Sequence, residues 1–169
     1  MQDTFSLQFP FILASNSPRR KEILTQAGFQ FSVLPSDVDE SFPVDMKAQE
    51  VPVMLAERKA KALLETCAGS LILAADTVVI LENEILNKPL DKQDALEMLQ
   101  KLSGKTHEVV SGVCIKNGLD YQSFIDITSV TFEELTEAEI WFYIKNHHPL
   151  DKAGAYGVQD FIGMIGIPK

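Results

Sequence analysis

Leu71-Ile72-Leu73-Ala74-Ala75-Asp76-Thr77-Val78-Val79-Ile80-Leu81 is an almost unbroken apolar run rich in Val, Ile and Leu. Such a run suits a central strand covered on both faces, because a strand buried on one face alternates apolar and polar residues. Asp76 interrupts it. A carboxylate buried there without partners is expensive. It must meet a hydrogen-bond donor, a cation or a metal, or stand at a strand end facing a cleft. The plainer alternative is a turn-forming Asp between two shorter strands. Val78 and Val79 continue the strand pattern without Gly or Pro, which favours the first reading.

Working outward, residues 50–67 read as a helix with Ala56, Ala60, Leu63, Leu64 and Cys67 on one stripe, closed by Gly69. Lys59 borders that buried stripe. Residues 9–14 read as a first buried strand and 31–35 as a short second one. On the other side, Asn87-Lys88-Pro89 breaks the chain, and Asp91 caps a helix running to Leu102. Residues 109–115 and 119–132 read as strands, and Asn117-Gly118 between them signals a type I′ hairpin. Thr136-Glu137-Ala138-Glu139 is a capping box that opens a helix to about residue 146. A Gly-rich loop follows over residues 150–159. Strands and helices in this order imply α/β or α+β with a mixed sheet.

Leu13-Ala14-Ser15-Asn16-Ser17-Pro18-Arg19-Arg20 reads as a strand end, a polar turn and a helix start. Ser17 suits the N-cap and Pro18 the first helical position. Gly28 closes this helix. Arg19, Arg20 and Lys21 then stand where the helix dipole is already positive, which costs roughly 0.3–1 kcal/mol each. A bound anion removes that conflict, and a helix N-terminus with two arginines is a phosphate cradle. A solvated basic turn is the competing reading. The extra donors Ser15, Asn16 and Ser17 favour the phosphate.

The chain has 169 residues, 46% hydrophobic and 23% charged, with a formal net charge of −9. That size suits one domain or two small lobes sharing a core. The acidic balance argues against binding long nucleic acid, whereas a small polyanion still binds where basic residues converge or a metal helps. Cys67 and Cys114 lack paired-motif spacing and look like buried hydrophobes in a reducing compartment. No signal peptide and no apolar run of about 18 residues is visible, so the expectation is a cytoplasmic protein without a membrane span.

Asp37, Asp39 and Glu40 crowd one acidic loop. An EF-hand there would need Gly and Glu where Phe42 and Ala48 stand, so that reading fails. A solvated loop is the plain reading for most of the cluster, and one carboxylate remains available to complete a magnesium site with Asp76 and substrate phosphates. Lys59, Lys88 and Lys152 are candidates for neutralising phosphate, Lys88 most of all because Pro89 stiffens its turn. Lys105 is a further one. His107 is read as structural at a strand start, and His147-His148 as helix-end residues. Walker A, G-x-G-x-x-G, H-E-x-x-H, C-x-x-C and G-x-S-x-G patterns are absent.

Five segments together resemble the Maf nucleoside triphosphate pyrophosphatases: residues 13–20 (LASNSPRR), 75–79 (ADTVV), 87–91 (NKPLD), 103–113 (SGKTHEVVSGV) and 151–159 (DKAGAYGVQ). The resemblance implies an α/β fold with a mixed central β-sheet flanked by helices, two-lobed with a cleft, of the Maf/ITPase-like kind. It implies a single domain over residues 1–169 that lacks a C-terminal strand and helix. It implies a hydrolase that cuts the α–β phosphoanhydride of a nucleotide, leaving the monophosphate and pyrophosphate, with a divalent cation, magnesium or manganese. Asp76 matches the proton acceptor. Arg19, Thr77 and Gln159 match positions that set base specificity. Ser15, Arg20, Glu40, Lys59 and Lys88 match other pocket positions, with Glu40 and Asp76 the metal ligands. The Arg19-Arg20 pair and its companions resemble the subgroup acting on dTTP and UTP, a house-cleaning activity that extends to modified pyrimidine nucleotides.

The family name also records an association with septum formation. A regulatory nucleotide-binding protein of cell division, without turnover, is therefore the alternative expectation. The hairpin and the Phe residues allow a homodimer.

Overall fold

The computed structural model describes residues 7–168. A six-stranded mixed sheet runs through it in the order β2-β1-β3-β5-β6, with β4 paired to β3. The strands are β1 (Phe11–Leu13), β2 (Ser32–Val33), β3 (Leu71–Leu81), β4 (Glu84–Leu86), β5 (Thr106–Asn117) and β6 (Asp120–Thr131). The helices are α1 (Pro18–Gln26), α2 (Val51–Ala62), α3 (Lys92–Leu102), α4 (Glu137–His147) and α5 (Phe161–Gly166). β1 lies parallel to both β2 and β3, and β4 is antiparallel to β3. The apolar run 71–81 is a single strand with Asp76 inside it, as its pattern predicts, and not two strands around a turn.

The chain divides into two compact units, and the division falls inside continuous strands: between Asp76 and Thr77, Val110 and Ser111, and Ile125 and Asp126. In the first unit, α2 buries Ala56 and Ala60 against Ala14, Ile72, Ala74 and Cys114. α2 also lies so close to β5 that a Cβ on Gly112 would sit 2.1 Å from the Val53 nitrogen. Here glycine is required by space. A second cluster joins Phe11, Leu13 and Leu24, with Phe29 and Phe31 edge-on to Phe11.

In the second unit, α3 and α4 supply Leu96, Leu99, Leu102, Ile140, Tyr143 and Ile144 to a core with Val79, Leu81 and Phe132. Asp91 caps α3 by accepting from the Gln93 and Asp94 amides, and Thr136 and Glu139 close the expected capping box on α4. His107 is buried at the start of β5, and its Nε2 lies 2.7 Å from Tyr156 Oη. Burial lowers the His107 imidazole to about 4, while the Lys105 backbone pulls weakly the other way. Burial raises the Tyr156 phenol. The position of His107 at a strand start is the expected one.

Two local expectations are corrected, the bounds of one helix and the type of one hairpin. The helix expected over 50–67 is α2, from Val51 to Ala62. It starts late because Pro52 occupies its first turn, and it ends early because Leu63 and Leu64 bond back only three residues, to Ala60 and Lys61. The hairpin at Asn117-Gly118 has positive φ at Gly118 alone, whereas type I′ needs it at both loop residues. That geometry falls instead on Glu82 and Asn83, with φ of 51° and 71°, between β3 and β4. Register Leu81↔Glu84 makes Glu82-Asn83 a two-residue loop. Without glycine, the sequence does not announce it. Lys105 and Lys152 meet carboxylates of their own unit: Lys105 lies 3.2 Å from Glu82, and Lys152 3.3 Å from Asp160 and 3.5 Å from Asp151.

Candidate active site

The first unit brings its candidate residues together because of strand direction. β1, β2 and β3 are parallel, so the segments leaving β1 and β2 emerge in the same direction, alongside the part of β3 that carries Asp76. Open parallel sheets place their sites beyond the carboxyl ends of the strands. After β1, the Ala14 amide still bonds to the Leu73 carbonyl at 2.8 Å, and the chain turns at Ser15 into α1. Ser15 is buried, and its Oγ accepts from the Ser17 amide at 3.2 Å and from Arg20 Nη1 at 3.1 Å. Ser17 is the N-cap but makes no side-chain cap bond. The first turn of α1 contains no acidic residue, so nothing on the helix itself offsets its positive end.

Arg20 is partly buried. Burial lowers its guanidinium, Asp76 opposes that, Arg19 reinforces it, and Glu40 again opposes it. Arg20 thus lies in the field of Asp76, Glu40 and Arg19 at once, and an arginine remains charged throughout. Arg19 itself is exposed.

Lys59 is the hub. It comes from α2, whose burial leaves its side chain only 11% exposed. Its Nζ lies 2.6 Å from Asp76 Oδ1 and 2.7 Å from Glu40 Oε1. Asp76 is 16% exposed and Glu40 61% exposed, so the pair with Asp76 is the desolvated one. The demand that Asp76 find a cation is therefore met by Lys59. Glu40 is held in a loop where Asp39 accepts from the Ser41 amide at 2.9 Å, and this bonding to Ser41 lowers the Asp39 carboxyl. Arg58, which nothing in the sequence singles out, donates from Nη1 to the Asp39 and Ser41 carbonyls.

Two carboxylates converging on one ammonium fit the protein's share of a magnesium or manganese site, which asks for one or two carboxylates beside waters and phosphates. Among the described residues no three His, Cys, Asp or Glu side chains group as a complete metal cage. The remaining candidates belong to the second unit. Thr77 follows Asp76 on β3 and is partly buried. Lys88 is exposed after β4, lining a pocket of 330 Å³ with Glu84 and Lys101. Gln159 is exposed beside Asp160, whose carboxylate accepts from Tyr143 Oη at 2.7 Å.

The sequence matches the Maf-like protein family over residues 10–169. The chain belongs to the Maf family. It is similar to the dTTP/UTP pyrophosphatase of Cytophaga hutchinsonii, with 48% identity over 94% of this chain and 72% of that one. The dTTP/UTP pyrophosphatase of Phocaeicola vulgatus is 46% identical over 95% of this chain and 84% of its own. That of Bacillus cytotoxicus is 45% identical over 94% and 89%. Among solved structures, a HAM1 protein from Coxiella burnetii superposes with a TM-score of 0.51 at 11% identity, over 74% of this chain and 73% of that one. That likeness speaks for the fold alone.

Proposed function

We propose that this Maf chain hydrolyses dTTP and UTP to the monophosphate and pyrophosphate. The relatives bearing that activity's name support the substrate, at 44–48% identity. One observation carries the chemistry: Lys59 joins Asp76 to Glu40, and Arg20 lies in the field of both. Cleaving a phosphoanhydride asks mainly for charge neutralisation and an aligned water. Arg20, fixed by Ser15, and Lys59 hold the triphosphate in the first unit. Asp76 takes the water proton as the water oxygen bonds to phosphorus and the α–β bridging bond breaks. Pyrophosphate leaves with the bridging oxygen. A divalent cation, magnesium or manganese, would be held by Asp76 and Glu40, and when bound supplies charge neutralisation and Lewis acidity. By match to the family pattern, Lys88 binds phosphate, and Arg19, Thr77 and Gln159 select the base. A Gln amide suits a pyrimidine edge because it both donates and accepts.

Pyrophosphate release across a panel of nucleoside triphosphates, with and without magnesium or manganese, tests this reading. Release from dTTP and UTP is expected, and Asp76→Asn should lower it about 10²- to 10⁴-fold while circular dichroism stays native. Nucleotide binding without release would instead favour a regulatory protein of cell division. Full turnover by Asp76→Asn would remove Asp76 from its role.

A further inference from the structure

We propose that Arg58 is a positioning residue that holds Glu40 at Lys59, an inference that rests on the role given to Glu40 above. Nη1 of Arg58 donates one bond to the Asp39 carbonyl and one, at 2.8 Å, to the Ser41 carbonyl. These are the carbonyls on either side of Glu40. The two N–H groups of a single guanidinium nitrogen therefore grip the backbone of an exposed acidic loop on both sides of Glu40, whose carboxylate reaches Lys59. The geometry asks for arginine. A lysine at 58 would bring a compact ammonium without the fixed, planar fork. Adjacent positions on one turn of α2 thus divide the work: Lys59 meets the Glu40 carboxylate, and Arg58 fixes the backbone that carries it. Without the grip, Glu40 keeps its charge but the backbone on either side of it loses both bonds to α2. Ser41 bonds back to Asp39, and those bonds lie inside the loop.

The test compares the full chain with Arg58→Gln, Arg58→Lys, Glu40→Gln and the Arg58→Gln/Glu40→Gln double variant. Amide hydrogen exchange over residues 37–42, Mn²⁺ binding followed by electron paramagnetic resonance, and kcat/KM for dTTP are measured on each. Arg58→Gln is expected to speed exchange in 37–42 and to weaken Mn²⁺ binding and kcat/KM by about 10- to 100-fold, the range for residues that orient a metal ligand. Arg58→Lys should recover little of this. In the Glu40→Gln background, Arg58→Gln should still speed exchange but lower Mn²⁺ binding and kcat/KM no further. Native exchange and Mn²⁺ binding in Arg58→Gln would overturn the proposal, as would an equal loss in both backgrounds. Wild-type kcat/KM and Mn²⁺ binding in Glu40→Gln would overturn it through Glu40 itself. Faster exchange in Arg58→Gln would then show that the grip exists, so the two failures are told apart.

Discussion

The ammonium of Lys59 lies 2.6 Å from Asp76 Oδ1, with both side chains largely withdrawn from water. The same ammonium meets Glu40, whose carboxylate is 61% exposed. The two contacts are unequal because desolvation, not distance, separates them. Breaking a buried ion pair strands an uncompensated charge, and an exposed pair is screened by solvent.

Lys59→Ala is therefore expected to cost about 3 kcal/mol of unfolding free energy. Glu40→Ala should cost under about 1 kcal/mol. Urea unfolding of the two variants checks this. Equal midpoints would mean that the desolvated pair contributes no more than the exposed one.

Gly112→Ala should unfold the protein or destabilise it by more than about 4 kcal/mol. The added Cβ would stand 2.1 Å from the Val53 nitrogen and 2.2 Å from the Pro52 carbonyl carbon, and both are backbone that no side-chain rotation relieves. A soluble Gly112→Ala protein with the wild-type melting temperature would contradict the packing of α2 on β5.

His107 gives stability a pH dependence. Its folded value is about 4 against an ordinary 6.5. Between those values the unfolded chain binds a proton that the folded one excludes, so stability rises with pH there. The contribution is complete above 6.5 and is lost as pH falls toward 4, roughly 3 kcal/mol over that window. His107→Phe combined with Tyr156→Phe removes both partners of the 2.7 Å contact without orphaning either. Chemical denaturation at pH 6.5 and pH 4 should show a shallower loss in that double variant. Parallel losses would remove His107 as the cause.

Much of the fold was legible in local chemistry. The run 71–81 gave its own strand to the residue, and Asp91 and Thr136 marked the starts of α3 and α4 through side chains that cap their own backbone. Such signals need only neighbours a few positions away. The turn at Glu82-Asn83 was not legible, because positive φ at two non-glycine residues is imposed by the pairing of β3 with β4. α5 was missed because six residues with two glycines carry too little pattern to read as a helix.

The sequence by itself determined that Asp76 must have a partner, because a carboxylate inside an apolar strand has nowhere else to put its charge. It also determined that α1 begins with basic residues and no acidic one in its first turn. Only the tertiary structure decided that the partner is Lys59, that Glu40 shares it, and that Arg58 secures the loop around Glu40. Those choices depend on β1 and β2 ending beside β3 while β3 runs on through Asp76, and on α2 packing in the same unit. Separations of 17 and 19 positions along the chain carry no local signal of contact.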